Sequence, residues 1–146
     1  MIVLAAGNLE IRVSVEIVNL KMFVHGGNFT ELLTDRMGRE LNLDMFIRFG
    51  TDIDDNYYEY SQRLFPGWHN NNEIVIDLER LSSIKFLREQ DSLRNYDILP
   101  NGDVIRVVGN PTLGKLRYVV IGVKNHGRSI TSADNIEMWV DELRVS

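Results

Sequence analysis

The sequence predicts an all-β domain: a two-sheet β-sandwich with jelly-roll-like order and one short helix. Three observations carry that expectation. Apolar and polar residues alternate with period two in several short runs, clusters of Gly, Pro, Asn and Asp punctuate those runs, and only one segment has helical spacing. Eight or so short strands of this kind suit two packed antiparallel sheets rather than βαβ units.

Leu9, Ile11, Val13, Val15 and Ile17 alternate with Glu10, Arg12, Ser14 and Glu16, which describes a first strand with one buried face. Leu20, Met22 and Val24 begin a second strand that stops at Gly26-Gly27-Asn28. From Phe29 to Glu40 the residues have no period and read as a long loop. Met45, Ile47 and Phe49 then share one parity and Phe46 and Arg48 the other, before Asp54-Asp55-Asn56 turns the chain back through Tyr57 to Leu64. Pro66-Gly67 ends that hairpin, and Ile74-Val75-Ile76 forms another short strand.

Asp77 can cap a helix over Leu78 to Arg88, where Leu78, Leu81, Ile84 and Leu87 suggest one apolar stripe. After the turn Leu99-Pro100-Asn101-Gly102-Asp103, the β-branched run Val104 to Val108 reads as a strand, interrupted by Gly109-Asn110-Pro111. Leu116 to Val123 is nearly all apolar, as in a central strand buried on both faces. Along Ile136 to Val145 the phase changes: Met138 and Val140 lie on one parity, Leu143 and Val145 on the other. A β-bulge near Asp141-Glu142 is expected to turn all four inward.

A chain of 146 residues fits a single domain over 1–146, able to bury roughly 70% of its unfolded surface. With 44% hydrophobic and 25% charged residues it falls among globular proteins rather than disordered ones. A net charge of −5 and scattered Lys and Arg argue against a nucleic-acid surface, which needs clustered cations. The absence of cysteine excludes disulfides, thiolate metal sites and a cysteine nucleophile. Met1 to Gly7 lacks the basic region and apolar length of a signal peptide, and no helical membrane span is expected because no segment reaches about 18 apolar residues.

Asp52, Asp54 and Asn56 occupy the first three ligand positions of an EF-hand pattern, and calcium is the ion that Asp52, Asp54 and Asp55 could take. The pattern then fails, with Tyr57 where the loop needs Gly and Arg63 where it needs a bidentate Glu, so these acids read first as turn formers. Otherwise no cofactor is expected. His25, His69 and His126 lack zinc spacing, and no nucleophile, base and oxyanion donor can be assembled from named residues, so the chain is not expected to be an enzyme. Tyr58, Tyr60, Trp68 and Trp139 are the candidate ligand or partner contacts, because aromatic rings on a sheet face stack on apolar ligand surfaces. Trp139 shares parity with Glu137 and Asp141 and is the best placed of them to face outward.

Four segments resemble the SprA (Sov) family, giant outer-membrane proteins of Bacteroidota linked to gliding motility and type IX secretion. They are Asn19 to Gly26, similar to a strand ending in MFVH, and Phe46 to Tyr60, similar to a tyrosine-rich hairpin. Gly109-Asn110-Pro111-Thr112-Leu113-Gly114 with Val119 to Asn125 is the third, and Ile136 to Val145 the fourth. The resemblance covers about residues 19–146. It departs from the family at Ser61 to Leu64, His126 and Asp141. It implies a non-catalytic structural or interaction module of a translocon in the cell envelope, associated with the outer membrane. Other domains of the parent protein or secretion-system proteins would be its partners. The alternative is a carbohydrate-binding jelly-roll module, whose closing strand is similar to Trp139 to Val145.

Overall fold

The computed structural model describes residues 2–11, 19–27, 43–52, 54–90, 95–114, 116–126 and 138–145. Its elements are β1 (Ile2–Ile11), β2 (Asn19–His25), β3 (Leu43–Gly50), β4 (Tyr57–Arg63), β5 (Glu73–Asp77), α1 (Leu78–Gln90), β6 (Tyr96–Ile98), β7 (Val104–Val108), β8 (Leu116–Asn125) and β9 (Trp139–Val145). They form a six-stranded sheet in the order β1-β8-β3-β4-β7-β6 and a three-stranded sheet in the order β5-β2-β9. Every pairing is antiparallel. The two-sheet sandwich is therefore the observed fold. The pairs β1 with β8, β3 with β8 and β4 with β7 nest as in a rolled chain, while β3-β4 and β6-β7 are direct hairpins within one sheet.

The core follows from register. Across β8, β3, β4 and β7, Ile121, Ile47, Tyr60 and Ile105 form one row and Val119, Phe49, Tyr58 and Val107 the next. All eight side chains belong to the core, and Phe49 and Tyr58 set their ring centroids 6.0 Å apart. Leu20, Met22 and Val24 of β2 with Ile74 and Ile76 of β5 supply the facing layer. Each such side chain contributes about 2 kcal/mol when buried, and a slip of one residue would turn a whole strand's set to solvent.

Asp77 caps α1 as expected, its Oδ1 accepting from the N–H groups of Glu79 at 2.9 Å and Arg80 at 3.2 Å. Leu78, Leu81 and Ile84 close the core, whereas Leu87 is 36% exposed. A spacing of three falls behind the helical period by 60° per step, so after three steps Leu87 has left the buried stripe.

Two strands differ from the sequence expectation. The strand beginning at Leu9 starts instead at Ile2, because Ile2 to Asn8 pair with β8 although they do not alternate; residues 12–18 of the expected strand lie outside the described residues. The short β6 has little pattern of its own and is held by pairing with β7 across the turn, where the Leu99 N–H donates to the Asp103 carbonyl at 2.8 Å. The expected loop from Phe29 to Glu40, and Ile136 at the start of the last strand, also lie outside the described residues.

The expected bulge is present in β9. Phe23 pairs with Asp141 and Lys21 with Arg144, so two steps on β2 match three on β9. Met138 is buried and Leu143 packs against the core, but Val140, opposite the buried Val24, remains 37% exposed.

Truncating Ile47 to Ala in the middle of a core row is expected to cost about 3 kcal/mol in urea unfolding. Val75→Ala, at a position 45% exposed, should change stability by less than about 0.5 kcal/mol. Equal effects of the two substitutions would contradict the assigned register.

Candidate functional site

Asp52 builds the turn between β3 and β4. Its Oδ1 accepts hydrogen bonds from the backbone N–H groups of Asp54, Asp55 and Asn56 at 3.2, 2.6 and 2.9 Å, and its Oδ2 accepts one from Asn56 Nδ2 at 2.8 Å. The Asn56 side-chain bond, followed by the backbone bonds, holds the Asp52 carboxyl below its ordinary range. Asp54 and Asp55 are exposed. Both Asp52 oxygens accept hydrogen bonds from the turn's own N–H groups. Among the described residues, no group of three or more His, Asp or Glu is placed to hold a metal ion.

The turn docks on a second loop. Asn56 Oδ1 accepts from the Asn110 N–H at 2.9 Å. Gly109 has φ +64°, and a Cβ added there would lie 1.8 Å from the Asp55 carbonyl oxygen, so only glycine fits this approach. The next carbonyl, of Pro111, accepts from Lys85 Nζ at 2.8 Å and from the Tyr58 hydroxyl at 3.4 Å. Two sequence motifs about fifty residues apart thus form one joint between the hairpin, the loop before β8 and the helix.

A comparable joint holds β2. The Asn72 side chain is fully buried, accepting from the Phe65 N–H at 2.9 Å and donating to the carbonyls of Phe65 at 2.7 Å and Gly67 at 3.1 Å. The loop it shapes reaches Gly26, whose N–H donates to the Gly67 carbonyl at 3.0 Å. A Cβ at Gly26 would fall 1.8 Å from the Phe65 carbonyl oxygen.

The face of the six-stranded sheet away from the core carries an ionic cluster. Glu59 is 2% exposed; its Oε2 accepts from Arg48 Nε at 2.6 Å and its Oε1 from Lys124 Nζ. Both cations also lie over the fully buried Phe46 ring, at 5.0 and 5.1 Å from its centroid, and Phe46 itself pairs opposite Gly122. Burial alone would raise the Glu59 carboxyl, but the hydrogen bonds and charges of Lys124 and Arg48 outweigh it and hold the group below its ordinary value.

The four aromatic candidates separate. Tyr58 and Tyr60 are core residues, 2% and 3% exposed, because the register places them behind Phe49 and Ile47; neither presents a ring to solvent. The Tyr60 hydroxyl donates to Asp103, and its burial, together with that carboxylate, raises its ionisation far above the usual range. Trp68 and Trp139, in contrast, are 51% and 52% exposed. They flank His25 on the outer face of the three-stranded sheet, with centroid distances of 5.0 Å from Trp68 and 4.9 Å from Trp139, and Trp68 also meets Phe23 at 5.5 Å. Beside them is a groove of about 420 Å³ lined by Lys21, Phe23, Trp68, Glu73, Asp141 and Arg144.

A family model, SprA_N, described as a motility related/secretion protein, matches residues 14–146. The chain belongs to this family. No curated protein matches it. The SprA_N segment includes both loop joints, the ionic cluster and the aromatic face. Sequence reasoning did not find the Glu59 cluster or Asn72. The shared parity of Arg48 and Glu59 across the hairpin was an available signal, whereas Lys124, 65 residues from Glu59, gave none.

Gly109→Ala is expected to destabilise the domain by about 2 kcal/mol or more, from the disfavoured backbone angle together with the clash; thermal unfolding tests it, and an unchanged midpoint would refute the close approach. Glu59→Gln should cost about 3 kcal/mol at neutral pH, at the low end for a broken buried pair because Arg48 and Lys124 retain side-chain exposures of 18% and 22%. The depressed Glu59 ionisation contributes stability above the ordinary glutamate value of 4.5 and loses it as pH falls through the lower folded value. A urea series at decreasing pH should therefore show a steeper acid-side decline in the parent chain than in Glu59→Gln; parallel declines would remove Glu59 from the acid response.

Proposed function

We propose that the chain serves as a non-catalytic structural and docking module of a SprA-like outer-membrane protein of the type IX secretion and gliding motility apparatus. Membership of the SprA_N family over residues 14–146 is the observation that carries the reading. The packing supports it. Asp52, Asn56, Glu59 and Asn72 are engaged in holding turns, loops and strands, the tasks of a rigid scaffold rather than of acid-base chemistry. No helix among the described residues is long and apolar enough to cross a membrane.

On this reading the module works in the cell envelope, on the periplasmic or cell-surface side. Its partners are other domains of the parent translocon or secretion-system proteins, and it has no turnover and no resident cofactor. Deleting its coding segment in the source bacterium should reduce spreading on agar and retain secreted cargo inside the envelope. Normal spreading together with normal extracellular cargo would defeat the proposal, and so would a substrate screen that found turnover abolished by a single carboxylate substitution.

A further inference from the structure

Three strands present their outward side chains in cross-strand rows. On β2, Lys21, Phe23 and His25 alternate with the buried Leu20, Met22 and Val24 and so face away from the core. Glu73 of β5 and Asp141 of β9 pair on either side of Phe23, and Val75 and Arg144 on either side of Lys21. Trp139 pairs with His25, and Trp68 packs against both Phe23 and His25 from the loop after β4. Aromatic faces held by mutual ring contacts are thus bordered, among the described residues, by two carboxylates and two cations around a groove of about 420 Å³.

We propose that this face is an oligosaccharide-binding groove, in which Trp68 and Phe23 stack on sugar rings while Glu73, Asp141, Lys21 and Arg144 bind their hydroxyl groups. A sugar ring offers an apolar C–H face and a rim of groups that both donate and accept hydrogen bonds. The groove offers the complement, the exposed Trp68 ring beside the half-buried Phe23, with acceptor-only carboxylates and donor-only cations at the edge. Among the described residues the two charges of each sign balance, which suits a neutral polyhydroxyl ligand better than a phosphate, since a phosphate site needs an excess of cations. The same composition disfavours the core of a protein interface, where Lys, Glu and Asp are depleted. Its volume falls within the range of small-ligand sites. The inference goes beyond the scaffold role and stands or falls separately from it.

The only two tryptophans of the chain both lie on this face, so intrinsic fluorescence reports on it directly. Titration of the whole chain with cellohexaose, xylohexaose, mannohexaose and chitohexaose at millimolar concentration should give a saturable emission change with at least one of them. By calorimetry, Trp68→Ala should weaken that binding about tenfold or more. Glu73→Gln, which preserves shape, should also weaken it. Phe86→Ala, at an exposed aromatic on α1, should leave it unchanged. Silence with all four sugars would overturn the proposal, as would affinity undiminished in both Trp68→Ala and Glu73→Gln. A fluorescence response to an unglycosylated secretion-system protein, with none to sugars, would assign the face to protein docking and likewise overturn it.

Discussion

The register of the β3-β4 hairpin is the constraint on which the rest of the molecule depends. Pairing Phe49 with Tyr58 and Ile47 with Tyr60 sends four large side chains into the core, and the same pairing sets Arg48 opposite Glu59 on the other face. Side chains alternate strictly along a strand, so these two outcomes cannot be separated. A slip by one residue would drive Glu59 and Arg48 into the apolar core and move Tyr58 and Tyr60 to the face of the ionic cluster, with the desolvation of unpaired charge added to the lost packing. The hairpin also sits in the middle of the six-stranded sheet, with β8 on one side and β7 on the other, so its register passes to both neighbours.

Independent devices hold that register. The Asp52 carboxylate gathers three backbone N–H groups and sets the length of the turn. Asn56 then ties the turn to Asn110, and the absence of a side chain at Gly109 lets the two backbones meet. On the far side of the sheet, Lys124 reaches Glu59 from β8, so a salt bridge within the hairpin becomes a clamp across three strands. Each contact costs more to break than it contributes in net stability. Together they penalise the alternatives, because any shift leaves several buried polar groups without partners at once.

The parts legible in the sequence were those whose signal is local. The alternation of Met45, Ile47 and Phe49, the cap at Asp77 and the phase change in the last strand each depend on a few neighbouring residues, and all three are present in the structure. Ile2 to Asn8 gave no such signal, since a strand that pairs along β8 need not alternate. Among the aromatic residues, parity marks Trp139 as outward, which it is, whereas Tyr58 and Tyr60 are core residues rather than contacts because their positions oppose core residues across the hairpin. What no local pattern could provide was convergence over distance: Lys124 on Glu59, Asn72 on the Phe65 loop, and Trp68 beside Phe23 and His25.

The bulge in β9 links the core to the aromatic face. In a regular strand Asp141 and Arg144 would point to opposite sides, and so would Val140 and Leu143. One extra residue between Asp141 and Arg144 resolves both conflicts: Asp141 stands beside Phe23 and Arg144 beside Lys21, while Leu143 packs against the core. A bulge interrupts the ladder and strengthens the local twist, at some expense in pairing. An unbulged strand with Leu143 inward would turn Met138 away from the core and could not keep Trp139 and Asp141 outward with Arg144 in the next row. The same extra residue lets Met138 and Leu143, of opposite parity, both reach the core, so one irregularity serves the core and the outer face together.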